Sequence, residues 1–174
     1  MDIFGLDLSL TSTGISGNDE ILSITTPSKG AERLHLISEK ILQIVTQAEK
    51  PAVLIEGYSF SSRNSQAHSI GELGGVVRLE LWRKGIPFTD VAPTARAKFA
   101  TGKGNANKAE VLSAISAKTG IVWSGSSADD KCDAWILEEM GRCLAGTARF
   151  EWPQVSRSAL EKIDWGRIKD HYGT

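Results

Sequence analysis

The stretch that decides the fold is DIFGLDLSLTSTG, which runs from Asp2 to Gly14. Its first half alternates in the way typical of a β-strand, and small hydroxylated residues follow. Asp7 lies in this strand between two leucines. Because a carboxylate among apolar neighbours is costly to bury unless a positive group meets it, we expect Asp7 to face a basic side chain or a metal ion. Alternatively, Asp7 lies on a solvent-facing strand edge or caps a turn with Ser9 and Thr11.

The length and composition of the chain bound its organisation. With 174 residues and 41% hydrophobic content, it can bury one core but is too short for two ordinary domains. We expect a body over residues 1–146 and a C-terminal extension over residues 147–174 that packs on the body. The sequence has neither an apolar run of about eighteen residues nor a secretory signal, which predicts a cytoplasmic protein with no membrane association.

The charge of the chain is distributed unevenly. A net charge of −1 argues against a protein that coats nucleic acid indiscriminately. Between Arg83 and Lys118, however, seven basic residues stand against two acidic ones. A partner that carries phosphates could bind there, although a solvated basic surface without a dedicated partner is the alternative.

Hydrophobic periodicity predicts an α/β fold in β-β-β-α-β-α-β-α order. Three short strands are expected to begin a mixed five-stranded sheet as an antiparallel set, with helices on both faces. In this order the first and fourth strands become neighbours, and the last helix packs across them. The later elements are expected as helices over residues 29–49, 66–84, 107–119 and 127–144 and as strands over residues 52–55 and 86–91.

A glycine-rich basic loop covers residues 101–108 and leads directly into a predicted helix. Backbone amides at a helix start, together with Lys103 and Lys108, suit a phosphate group. The spacing is not that of a Walker A loop, and a flexible connection is the alternative.

Acidic residues mark the end of one strand and the start of the last helix. Glu56 ends the predicted fourth strand. Asp129 is accounted for as a residue that stabilises the helix dipole. Asp130 and Asp133 project from one face of that helix, three residues apart, and apolar residues behind them turn this face to the core.

Four carboxylates are therefore expected to converge, from Asp7, Glu56, Asp130 and Asp133. Oxygen ligands without histidine favour Mg²⁺ or Mn²⁺. Two such ions held by shared carboxylates are the arrangement that activates water and stabilises the leaving oxygen in phosphodiester hydrolysis.

These motifs resemble the RuvC family of Holliday junction resolvases, within the RNase H-like (retroviral integrase) superfamily. The resemblance covers residues 1–144 and rests on GLDLS at 5–9, IEG at 55–57, GKGNANK at 102–108 and DKCDA at 130–134. It implies an RNase H-like fold and a metal-dependent endonuclease. It also implies a homodimer in which each subunit cuts one of two opposed strands at a four-way DNA junction.

By this resemblance, the four carboxylates are the catalytic residues that bind two metal ions, and Lys108 lies beside the scissile phosphate. The loop after Glu56 is where the family places an aromatic residue that contacts the junction, and either Tyr58 or Phe60 could take that place. The DNA-contacting residues are expected at Tyr58, Phe60, Arg63, Lys98, Lys103 and Lys108.

The predicted helix over residues 66–84 carries more apolar residues than one sheet-facing stripe requires. We expect part of this surplus, including Val77 and Leu81, to form the homodimer interface. The extension from residue 147 lies outside the resemblance, a departure that would fit a phage-encoded member of the family.

Other classes of function compete with a junction resolvase. A nuclease of the same fold could act on flaps or other branched DNA. A DNA-binding module without catalysis would leave four costly carboxylates without a metal. The first strand and turn also resemble a phosphate motif of actin-like ATPases, but that class needs two such domains around a nucleotide, and 174 residues cannot supply them.

Overall fold

A computed structural model describes residues 1–57 and 66–173. It contains a five-stranded sheet with helices on both faces. The strands are β1 (Asp2–Asp7), β2 (Thr13–Gly17), β3 (Glu20–Ile24), β4 (Pro51–Glu56) and β5 (Phe88–Val91). The helices are α1 (Gly30–Val45), α2 (Gln66–Arg83), α3 (Pro93–Thr101), α4 (Lys108–Thr119), α5 (Ala128–Leu144), α6 (Gln154–Arg157) and α7 (Gly166–Tyr172), with a 3-10 turn at Leu160–Lys162.

The sheet has the strand order β3-β2-β1-β4-β5. The first three strands pair antiparallel, whereas β4 runs parallel to both β1 and β5. This confirms the predicted mixed sheet and the predicted adjacency of the first and fourth strands. Parallel neighbours end at the same edge of a sheet, so β1 and β4 deliver their last residues to one place.

Alternation along β1 and β4 assigns their side chains to two separate cores. Phe4 and Val53 belong to the core with α1 and α2, whereas Ile3 and Leu54 belong to the core with α3, α4 and α5. By the same period of two, Asp7 and Glu56 lie on the α5 face of the sheet.

Helix α5 lies very close to the sheet. A Cβ atom at Gly5 would lie 2.0 Å from the Ala134 carbonyl oxygen, and one at Gly14 would lie 2.1 Å from the Asp130 carbonyl oxygen. Only glycine leaves room for a helix backbone at these two points. The two glycines therefore fix how near the N-terminal half of α5 comes to the end of β1.

The C-terminal residues contact α3 and α5. The Trp152 ring packs on Phe99 with a centroid separation of 4.2 Å, and its indole N–H donates to Glu139 Oε1 over 3.1 Å. Trp165 is also buried in the same core. Two short helices, α6 and α7, and the 3-10 turn between them make up this segment. The domain boundary at residue 146 stays a prediction.

Helix α2 buries two of the apolar residues that were expected at an interface. Val77 and Leu81 are almost fully buried in the core with α1, whereas Leu79 and Trp82 are 45% and 73% exposed. In the part of the chain that the structure describes, no helix is long and apolar enough to span a membrane.

Candidate active site

The ends of β1 and β4 bring two predicted site residues together. The strand register places Leu6 opposite Ile55, so that Asp7 and Glu56 are the next residues on adjacent strands. Both lie on the α5 face, and both are only partly exposed. Their carboxylates share one edge of the sheet.

Asp133 joins them from α5 through a guanidinium that the sequence analysis did not assign to the site. Arg96 donates through Nε to Glu56 Oε2 and through Nη1 to Asp133 Oδ1. Its side chain is 11% exposed, and that of Asp133 is 9% exposed. The positive group expected near Asp7 is therefore a basic side chain in this structure.

The position of Arg96 follows from the pairing of β4 with β5. Glu56 lies opposite Val91 in that pair. Helix α3 begins two residues later, with Pro93 in its first turn. One turn into the helix, Arg96 reaches back over the end of β4, which places its guanidinium between the strand and α5.

The crowded carboxylates change each other's protonation. Burial raises the pKa of Asp7 well above its ordinary value, and the charges of Glu56 and Asp133 raise it further. Burial likewise raises the pKa of Asp133 to about 7, although the charge of Arg96 opposes this rise. The pKa of Arg96 is raised, because the neighbouring acids outweigh the effect of its burial.

Asp130 lies at the margin of this cluster. Among the three acids that raise the pKa of Asp7, it has the weakest effect, whereas Glu56 has the strongest. Burial raises the pKa of Asp130 itself. The Ser12 hydroxyl donates to Ser127 Oγ over 2.8 Å, which ties the loop after β1 to the start of α5.

Lys108 is held by an acid that was expected only to stabilise a helix dipole. A capping box formed by Asn107 and Glu110 sets the start of α4 at Lys108. The Lys108 ammonium donates to the Asp129 carboxylate. This hydrogen bond raises the pKa of Lys108 and lowers that of Asp129. The charges of Asp133 and Asp130 raise the pKa of Lys108 a little further.

The remaining predicted DNA contacts are distributed around this edge. Lys98 is partly buried on α3, two residues after Arg96, and Lys103 is exposed in the loop before α4. Tyr58, Phe60 and Arg63 lie outside the described residues.

The four acids at this site are chemically suited to divalent cations. Asp7, Glu56, Asp130 and Asp133 all offer carboxylate oxygens, which Mg²⁺ and Mn²⁺ prefer as ligands. Burial raises the pKa of Asp7 and repulsion by the neighbouring acids raises it further, so the ionised cluster needs a cation. Within residues 1–57 and 66–173, no three acidic, histidine or cysteine side chains form a group that could hold a metal ion as they stand. Oxygens of Glu56 and Asp133 are directed at Arg96 instead.

A mixed sheet in this strand order, with acids at the ends of β1 and β4 and on the helix across them, defines an RNase H-like α/β protein. The solved structure of T. thermophilus RuvC in complex with a Holliday junction substrate shares this fold, with a TM-score of 0.67 and 23% identity over 85% of this chain and 98% of that chain. A second Thermus thermophilus RuvC structure gives a TM-score of 0.63.

Sequence comparison narrows the class to a family. Residues 8–134 match the family model described as crossover junction endodeoxyribonuclease RuvC. The relative named crossover junction endodeoxyribonuclease RuvC from Carboxydothermus hydrogenoformans is 30% identical over 81% of this chain and 95% of its own length. Its namesake from Nocardia farcinica is 26% identical over 86% of this chain and 89% of its own length. The chain therefore belongs to the RuvC family of crossover junction endodeoxyribonucleases.

Proposed function

We propose that this protein resolves four-way DNA junctions by metal-dependent hydrolysis of two opposed phosphodiester bonds. The observation that carries the proposal is the meeting of Asp7, Glu56 and Asp133 at one sheet edge, with Lys108 paired to Asp129 in the first turn of the helix that carries Asp133. Membership of the RuvC family supports the same conclusion. The basic residues on α3 and in the loop before α4 are suited to the phosphates of a branched DNA.

The four acids are proposed to hold two Mg²⁺ or Mn²⁺ ions. When bound, such ions supply a water nucleophile at neutral pH and stabilise the leaving oxygen. Asp7 and Glu56 are supplied by rigid neighbouring strands, and Asp133 by a helix that is packed against them, so the ligands are positioned before DNA arrives. Asp130, at the edge of the carboxylate cluster, is proposed as the fourth metal ligand.

Lys108 is proposed to stabilise the charge that develops on the reacting phosphate. Its side chain is 72% exposed, so it can turn from Asp129 to a DNA phosphate. An ammonium that acts mainly in the transition state affects the rate more than the affinity. We therefore expect Lys108→Ala to lower the cleavage rate at saturating DNA far more than it weakens binding. A binding defect that low salt restores would instead assign Lys108 to the general basic surface.

The test of the proposed function uses four DNA substrates of shared sequence: a four-way junction, a flap, a fork and a linear duplex. We expect paired cuts in the four-way junction with Mg²⁺ and none with EDTA. Asp7→Asn should abolish cleavage and leave DNA binding intact, because it removes a metal ligand and reduces repulsion of phosphates. Asp90→Asn is the matched control, since Asp90 is an exposed acid on β5 that pairs with Arg78 of α2.

The other outcomes of this test each select another function. Faster cleavage of flaps or forks than of four-way junctions would make the protein a branched-DNA nuclease. Binding of the junction without cleavage in Mg²⁺ or Mn²⁺ would make it a catalytically inactive module. Unchanged cleavage by Asp7→Asn would contradict the assignment of the site.

A homodimer is part of the proposal, because paired cuts need two sites. Leu79 and Trp82 are exposed and lie three residues apart on α2, on one face of the helix with the exposed Gly75. A two-fold interface presents the same patch from both subunits, so a charge at its centre is doubly unfavourable.

Trp82→Glu tests the dimer without disturbing the core. Light scattering should show a dimer for wild type and a folded monomer for this variant. On a cruciform plasmid, paired incision gives linear product, and the monomer should give nicked circles. Val122→Glu is the control, because Val122 is 85% exposed outside α2. A wild-type monomer that still linearises the plasmid in one binding event would contradict the dimer.

A further inference from the structure

Arg96 is the one basic side chain in the described residues that bridges two of the proposed metal ligands. It makes two hydrogen bonds to Glu56 and one to Asp133, with Nη2 3.5 Å from Glu56 Oε1. The guanidinium thus joins a strand to a helix at the centre of the site. A planar fork of donors suits this bridge, whereas a point charge would not satisfy both acids.

The position of the guanidinium conflicts with metal binding. Arg96 takes Glu56 Oε2 and Asp133 Oδ1, two of the oxygens that a divalent ion at this site would compete for. A guanidinium and a divalent ion on the same carboxylates repel each other, so binding of one weakens binding of the other. Asp7 receives no hydrogen bond from Arg96 in this arrangement, although the charge of Arg96 opposes the rise in the pKa of Asp7.

We propose that Arg96 is the resident cation of the carboxylate cluster, which keeps the site assembled without metal and must leave Glu56 and Asp133 before a divalent ion binds. This inference rests on the proposed function of the acids as metal ligands. It makes Arg96 a positioning residue in the metal-free protein and a competitor of the metal. Arg96 therefore lowers the affinity of the site for metal and, in return, holds Glu56 and Asp133 in place without it.

Removal of the guanidinium has two opposite consequences. Without metal, Arg96→Met leaves buried acids that repel each other, and loss of one partner from a buried ion pair is strongly destabilising. The melting temperature in EDTA should fall by roughly 5–15 °C. With metal, the variant has no guanidinium to displace, so Mn²⁺ should bind about tenfold more tightly, as expected for the loss of charge-assisted hydrogen bonds.

The experiment measures Mn²⁺ affinity by calorimetry and melting temperature in EDTA and in Mn²⁺, on the full chain without DNA. Lys98→Met is the control for charge alone, because Lys98 lies on the same helix and pairs with neither acid in the described residues. Arg96→Lys keeps the charge but loses the fork, and its affinity should lie between wild type and Arg96→Met. Equal Mn²⁺ affinities for wild type and Arg96→Met, or an equal gain for Lys98→Met, would overturn the proposal.

A measurement on wild type tests whether the metal displaces Arg96, even where a variant fails to fold. The Arg96 Nε–H is bound to Glu56, so its NMR signal should exchange slowly with water in EDTA and rapidly after Mg²⁺ is added. An unchanged slow exchange at saturating Mg²⁺ would refute displacement.

Failure of this inference differs from failure of the proposed function. Junction cleavage together with unchanged metal affinity in Arg96→Met would reject the role of Arg96 and keep the nuclease. Tighter Mn²⁺ binding by Arg96→Met without any junction cleavage would keep the role of Arg96 and reject the nuclease.

Discussion

Substitution of Gly14 by alanine tests whether the close contact between β2 and α5 sets the geometry of the site. The new Cβ atom would lie 2.1 Å from the carbonyl oxygen of Asp130, whereas real contacts of this kind essentially never fall below 3.0 Å. Helix α5 must therefore move away from the sheet by about 0.9 Å or more. Gly14 has no positive φ, so the effect is steric and does not come from backbone strain.

The displacement acts on stability and on catalysis by different amounts. Overpacking of this kind costs about 1–3 kcal/mol in the free energy of unfolding, which corresponds to a melting temperature lower by roughly 3–10 °C. A misplacement of about 1 Å in a catalytic group lowers a rate by about 10²-fold. We expect Gly14→Ala to fold, to bind a four-way junction nearly as wild type, and to cleave it about 100-fold more slowly.

The assay combines thermal unfolding with single-turnover cleavage of the junction at saturating protein. Gly166→Ala is the matched control, because the nearest atom to its Cβ would be 3.6 Å away. If Gly14→Ala melts within 1 °C of wild type and cleaves at the wild-type rate, then α5 is not held by this contact and the reasoning is refuted.

Three further predictions concern protonation, Lys108 and the C-terminal segment. Burial raises the pKa of Asp133 from 3.8 to about 7, so the native protein binds more protons than the unfolded protein between these pH values. The free energy of unfolding in EDTA should therefore fall by up to about 4 kcal/mol from pH 4 to pH 8. Urea titrations would measure this fall, which should be smaller in Mg²⁺. Asp129→Asn should lower the cleavage rate severalfold and shift its pH profile, because Lys108 loses the carboxylate that raises its pKa; a pH profile identical to wild type would contradict this. Glu139→Leu should cost about 3 kcal/mol or more in urea unfolding, because three N–H donors lose their acceptor, whereas the exposed Glu151→Leu should cost little.

The sheet could be predicted from the sequence because its signals are local. The alternation in β1 and the apolar run of β4 each identify a strand, and element order then makes the two strands neighbours. The same reasoning predicted that Asp7 and Glu56 would lie close together, and the strand register places them on adjacent strands. Their roles as metal ligands stay a prediction.

Arg96 could not be selected from the sequence, where it was one base among seven in a basic segment. Its place depends on the pairing of Glu56 with Val91 and on a helix that begins two residues after β5. The pairing is a matter of the register of neighbouring strands, which a local pattern does not contain. The sequence nevertheless contained a signal. Arg96 lies one turn into the helix after β5, and the neighbouring strand β4 ends in the acid Glu56.

The surplus of apolar residues on α2 was interpreted wrongly at Val77 and Leu81 for a similar reason. Periodicity showed a wide apolar face but could not say how much of it α1 and the sheet would cover. Both residues are buried by those elements, and Leu79 and Trp82 are left exposed. The face of α2 available to a partner is therefore the one that carries Leu79 and Trp82.

Helix α5 is held at two points, one on each side of Asp133, and the C-terminal segment contributes to the second. At its start, the contact with Gly14 fixes the helix against β2. Near its end, Glu138 accepts from Ser16 over 2.6 Å and from Arg149 over 2.5 Å, so that the sheet and the C-terminal segment hold the same carboxylate. Because an α-helix moves nearly as a rigid body, loss of the second anchor would let the helix tilt about the first. Asp133 lies between the two anchors, so its distance from Glu56 depends on both.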